Sequence, residues 1–116
     1  FLQDVEARGL SDDILLVCCG EMGRTPKINA RGGRDHWGGL APLLLAGGGL
    51  KAGHVVGQST ADDSEPATEP ISIQNLAATV MHTLLDVGQV RTMTNVPADV
   101  ARIITGPEPI RELMNS

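Results

Sequence analysis

Uninterrupted apolar runs near the N-terminal end of the chain predict buried strands. Residues 14–19 are all apolar and do not alternate with polar residues, a pattern typical of a strand that is buried on both faces of a parallel sheet. Residues 41–46 predict a second strand, in which Pro42 is tolerable at the start or on an edge. Residues 54–57 predict a short edge strand.

Helical spacing of apolar positions appears at both ends of the chain. Within residues 1–10 the spacing predicts the end of a helix, with Gly9 as its stop signal. Ser72 is a predicted helix cap, and apolar residues from 73 to 85 form one broad stripe that Gly88 terminates. A final helical turn is expected after the prolines near residue 109. A helix followed by a buried strand favours an α/β fold.

Composition limits the size and the partners of the protein. The 116 residues suffice for one small domain, and with 41% apolar but only 2% aromatic residues the core must be aliphatic. A formal charge of −5 argues against a dedicated nucleic-acid binder. The longest apolar stretch is broken by Pro42 and three glycines, so no membrane span is expected. Cys18 and Cys19 lie in an apolar run and are predicted to be buried thiols.

The segment 20–39 has no apolar periodicity, carries six glycines, and follows a predicted strand directly. Long irregular loops in this position are often functional. Glu21, Asp35 and His36 offer the oxygen and nitrogen donors of a divalent metal site, for zinc, manganese or calcium. The alternative is a salt-bridged loop without metal, in which Glu21 pairs with an arginine and Asp35 caps a turn. The spacing of these residues does not decide between the two.

Cations crowd the same segment of an otherwise acidic chain. Arg24, Arg31 and Arg34 have planar guanidinium groups that suit bidentate recognition of phosphate or sulfate. Arg24 and Arg34 are the predicted oxyanion-binding residues. The alternative role for any one of these arginines is a hydrogen bond to backbone carbonyls that stabilises the loop.

Two motifs in this segment carry a family resemblance. Residues 20–26 read Gly-Glu-Met-Gly-Arg-Thr-Pro and residues 33–37 read Gly-Arg-Asp-His-Trp, and together with the glycines at 47–49 they resemble the domain of unknown function 1501 family. The likeness extends over nearly the whole chain. Members of that family are bacterial, are often labelled sulfatase-like and are several times longer than this chain. The family is similar to the alkaline phosphatase and sulfatase superfamily.

The resemblance implies a fold and an activity. The expected fold is α/β, with residues 1–116 as a single domain that forms the C-terminal portion of an alkaline-phosphatase-like sandwich, whose mostly parallel sheet is flanked by helices. The expected function is that of a metal-dependent hydrolase of sulfate or phosphate esters, inactive alone because its nucleophile lies upstream. The alternative is a noncatalytic binding or structural module. The resemblance also implies an exported parent protein, and open sheet edges predict self-association into a homo-oligomer.

Overall fold

The computed structural model describes residues 1–115, which contain short helices and short strands. The helices are α1 (Leu2–Ala7), α2 (Ile73–Leu84), α3 (Val87–Thr92) and α4 (Ala98–Thr105), followed by a 3-10 turn at Arg111–Leu113. The strands are β1 (Leu15–Cys18), β2 (Gly23–Arg24), β3 (His36–Trp37) and β4 (Leu44–Gly47). The chain divides into two compact units. The first comprises residues 1–16, 46–54 and those from 71 onward, and the second comprises 17–45 and 55–70.

The predicted parallel sheet is wrong, and with it the α/β sandwich. The described residues contain two sheets of two antiparallel strands each, β1 with β4 and β2 with β3. The end of β4 lies beside the start of β1, because Gly47 approaches the carbonyl of Ile14 and the backbone N–H of Gly48 donates to the carbonyl of Ser11 at 2.9 Å. Such a placement is that of an antiparallel pair. The continuous apolar run indicates that β1 is at least partly buried, but it does not indicate whether the partner strand runs parallel or antiparallel to β1.

The thiols and the edge strand also differ from expectation. Cys18 and Cys19 are exposed free cysteines, because a two-stranded sheet does not cover its strands on both faces as a wide parallel sheet does. No regular strand forms at residues 54–57 in the described chain. Pro42 precedes β4 and lies outside it. The predicted strands at 14–19 and 41–46 are found as β1 and β4, with shorter or shifted bounds, whereas the predicted strand at 54–57 is not found.

Local hydrogen bonds fix the start of α2, as predicted. The hydroxyl oxygen of Ser72 accepts from the backbone N–H of Asn75, and the Asn75 side chain accepts from the backbone N–H of Ser72 at 2.9 Å. This reciprocal arrangement satisfies two donors that a helix N-terminus leaves free. The side-chain amide of Asn75 also donates to the carbonyl of Glu108 at 2.9 Å, which ties the C-terminal segment to α2.

The core of the first unit is small and aliphatic. Leu76, Ala78, Val87 and Val90 are buried, while Thr79 is completely inaccessible. The ends of the predicted stripe are exposed, with Ile73 at 72% and Leu84 at 65%.

Gly88 does not end α2. It lies within α3, which is capped by the side chain of Asp86. The apolar stripe thus predicted the helix correctly but overestimated how much of it is buried. The helices α3 and α4 pack against each other, and α4 also contacts α2.

The second unit contains the β2–β3 hairpin. Its register places Gly23 opposite Trp37 and Arg24 opposite His36. The Trp37 indole N–H donates to the carbonyl of Ser64 at 2.7 Å, which joins the hairpin to residues 55–70 of the same unit. Residues 59–66 close their own turn through an isolated antiparallel bridge between Ser59 and Pro66.

Candidate functional site

The loop that joins β2 to β3 is organised by its own polar side chains. The Asn29 carboxamide oxygen accepts from the backbone N–H groups of Arg31, at 2.9 Å, and Gly33, at 3.0 Å. The Thr25 hydroxyl donates to the carbonyl of Lys27 and accepts from the N–H of Asp35. Such side-chain bonds replace the regular ladder in a turn. The loop therefore holds a defined backbone path, although most of its residues are exposed.

Two of the loop arginines share one cleft. Arg24 and Arg34 line an open cavity of about 380 Å³ in the second unit. Arg31 lies on the same loop but does not line the cavity. Folding thus separates the three arginines into a pair and a single residue. Two arginines that line one cleft bring two positive charges to it, and arginine N–H donors suit a tetrahedral oxyanion.

The wall of the cleft is held by a close approach of two backbone segments. Gly23 is buried, and a Cβ atom at this position would lie 1.6 Å from the carbonyl oxygen of Leu40. Only glycine allows this contact. Residues 40–42 therefore lie directly beside β2, where Arg24 follows Gly23.

The three predicted metal ligands are placed in different environments. Glu21 is exposed ahead of β2, and His36 is exposed in β3 opposite Arg24. The Asp35 carboxylate accepts from the side-chain amide of Asn29 at 3.0 Å. Across residues 1–115 no three His, Cys, Asp or Glu side chains are grouped so that they could hold a metal ion. The Asp35 side chain thus bonds within its own loop, and the metal role of Glu21, Asp35 and His36 stays a prediction.

A second polar cluster lies in the turn at residues 59–65. The Asp62 carboxylate accepts from the hydroxyls of Ser64, at 2.7 Å, and Thr60, at 2.8 Å. These hydrogen bonds, that from Ser64 foremost, hold the pKa of the Asp62 carboxyl below its usual value of 3.8. Ser59 donates to Asp63 at 2.6 Å. The cluster stabilises its own turn.

Sequence reasoning missed the residues that shape the cleft. Met22, Leu40, Ala41 and Pro42 line it beside the arginines. No periodicity marks them, because β2 is only two residues long and residues 40–42 belong to no regular element. A readable signal did exist for the loop itself, since Asn29 followed by Gly32 and Gly33 is typical of a side-chain-stabilised turn.

Comparison with known proteins identifies the family of the chain. Residues 1–114 match the model of a family described as "Protein of unknown function (DUF1501)". Neither the curated proteins nor the solved structures gave a match. Within residues 1–115 every helix is too short or too polar to cross a membrane. Because the family match covers all but the last two residues, the chain belongs to the DUF1501 family of proteins of unknown function.

Proposed function

We propose that this chain binds the anionic group of sulfate or phosphate esters and forms the C-terminal portion of a hydrolase of these esters. The observation that carries the proposal is the placement of Arg24 and Arg34 in one cleft. The two motifs resemble the DUF1501 family, and the similarity of that family to sulfatase-like proteins of the alkaline phosphatase superfamily supports the enzymatic part. The arginine pair supports the choice of an oxyanion as ligand.

The chemistry assigns the arginines a defined task. Hydrolysis adds water across the ester bond, releases the alcohol and leaves inorganic sulfate or phosphate. Negative charge shifts onto the oxygens of the transferring group, where positioned guanidinium groups stabilise it. In this proposal the nucleophile comes from a part of the protein outside residues 1–116. We therefore expect this chain to bind the anion and not to turn over esters alone.

A divalent metal ion, zinc, manganese or calcium, is the cofactor that the resemblance implies. Such an ion would polarise the ester and sharpen a nucleophile. Within the described chain the donors do not fit a complete site, because Asp35 is bonded to Asn29 and no three donor side chains are grouped. No catalytic step is therefore assigned to a metal ion. A metal role for Glu21 or His36 remains a prediction that requires further ligands.

Isothermal titration calorimetry with sodium sulfate tests the binding step. We expect saturable binding that weakens as ionic strength rises, because salt screens the charges of an open cleft. Losing one charge-assisted hydrogen bond costs about 1.5 kcal/mol, so Arg24→Gln and Arg34→Gln should each weaken binding about tenfold.

Arg31→Gln is the matched control, because Arg31 belongs to the same loop but does not line the cleft. Equal losses in all three variants would show that only net charge matters. An absence of binding by folded wild-type chain would overturn the proposal.

A noncatalytic module is the second candidate, because the cleft lined by Arg24 and Arg34 would bind an anion without any grouped metal donors. Such a module would bind sulfate through the same arginines. The two candidates differ in turnover by the longer protein that carries this chain. Hydrolysis of an aryl sulfate or aryl phosphate that Arg24→Gln and Arg34→Gln diminish supports the enzyme, whereas anion binding without turnover supports the module.

A further inference from the structure

The cleft around Arg24 and Arg34 has a second chemical character. Its remaining lining includes the apolar residues Met22, Leu40 and Pro42. Met22 is 43% exposed, so part of its surface is open to a ligand in the cleft. The cleft therefore offers an anion-binding side and an apolar side, and a bare oxyanion would use only the first.

The volume of the cleft also indicates a ligand larger than a bare oxyanion. The open cleft has a volume of about 380 Å³, which is more space than one tetrahedral anion fills. Ligand clefts of this size hold an organic group beside the polar anchor. The close packing of Gly23 against Leu40 keeps the apolar side next to β2 and hence next to Arg24.

We infer that the preferred ligand is a monoester of sulfate or phosphate whose alcohol part is apolar, an aryl or alkyl group, and not a sulfated or phosphorylated sugar. This inference rests on the proposed function, because it assumes that the arginines hold the ester's anionic oxygens. The apolar part then lies against Met22 and Leu40. Hydroxyl groups of a sugar would lose water there without gaining hydrogen-bond partners.

Esters of equal charge separate the contribution of the anionic group to the affinity from that of the alcohol part. Methyl sulfate, 4-nitrophenyl sulfate and glucose 6-sulfate are all monoanions, so their affinities for the chain differ only through the alcohol part. Burial of about 60 Å² of apolar surface is equivalent to about tenfold in affinity. We therefore expect 4-nitrophenyl sulfate to bind at least tenfold more tightly than either of the other two. The matching phosphate esters, titrated in parallel, show which anion the site prefers.

Met22→Ser should abolish the preference for the aryl ester and leave the affinity for inorganic sulfate, which has no alcohol part, unchanged. Ile28→Ser is the control, because Ile28 is an exposed apolar residue of the same unit that does not line the cleft. Equal affinities for the three esters, or a preference that survives Met22→Ser, would overturn the inference while leaving anion binding intact. If the folded chain binds none of the sulfate or phosphate esters and no inorganic sulfate, the proposed function itself fails.

Discussion

Replacing Thr79 with valine is the sharpest test of how the first unit is held together. The Thr79 side chain is completely buried, and its hydroxyl accepts from the backbone N–H of Ile110 at 2.9 Å. The same hydroxyl donates to the carbonyl of Asn75 at 2.7 Å. Valine matches the shape of threonine but has no hydroxyl. The substitution therefore leaves one buried N–H group without a partner.

The cost follows from that single donor. An unsatisfied buried donor costs about 1–3 kcal/mol, while the Asn75 carbonyl keeps its backbone partner within α2. We take about 2 kcal/mol as the loss in free energy of unfolding. With an unfolding entropy of about 2.1 cal/mol/K per residue, this corresponds to a Tm lower by about 8 °C for a chain of 116 residues.

Urea unfolding followed by circular dichroism measures the loss, and Thr83→Val is its control. The Thr83 hydroxyl donates to the carbonyl of Val80 within the helix and supports no residue of the C-terminal segment, so its removal should cost under about 0.5 kcal/mol. Hydrogen exchange of the Ile110 amide should quicken only in Thr79→Val. The reasoning is refuted if Thr79→Val is as stable as wild type, or if both variants lose the same stability.

Three further outcomes follow from single contacts. Ser72→Ala removes the cap of α2 and should lower the free energy of unfolding, measured in urea melts, by about 1 kcal/mol. The control Gln74→Ala, at an exposed position of the same helix, should change it by less than about 0.5 kcal/mol. Gly23→Ala should disrupt the β2–β3 hairpin, because the alanine methyl group would collide with the carbonyl of Leu40. The amide NMR signals of the second unit should then change, and an unchanged amide spectrum would contradict the close approach. The pKa of the Asp62 carboxyl is lowered in the fold, so its contribution to stability is present above pH 3.8 and is lost as the pH falls through the lowered value. Carboxyl NMR titration should give a higher pKa for Asp62 in Ser64→Ala than in wild type, because the variant lacks the hydroxyl that Asp62 accepts from.

Local signals explain what the sequence could predict of the fold. The start of α2 was readable because Ser72 and Asn75 are three residues apart and bond to each other. The first helix, ending ahead of Gly9, and the turn at Arg111–Leu113 follow from similarly short-range signals. Each of these features depends on neighbours along the chain, which a sequence pattern displays directly.

Pairing between distant segments explains what could not be predicted. The apolar run at β1 does not show that its partner β4 is antiparallel, nor that Cys18 remains exposed. The strands β2 and β3 are two residues long, too short for any period. The crowding of arginines in one loop was visible in the sequence. The sharing of one cleft by Arg24 and Arg34, without Arg31, depends on the hairpin register and on the approach of residues 40–42.

The most direct test of the proposed anion site is an NMR titration of the arginine side chains with sulfate. If one ion contacts both groups in the cleft, the Nε signals of Arg24 and Arg34 should shift together and give a single Kd, while the signal of Arg31 stays in place. Shifts of equal size at all three arginines, or none at Arg24 and Arg34, would contradict the account.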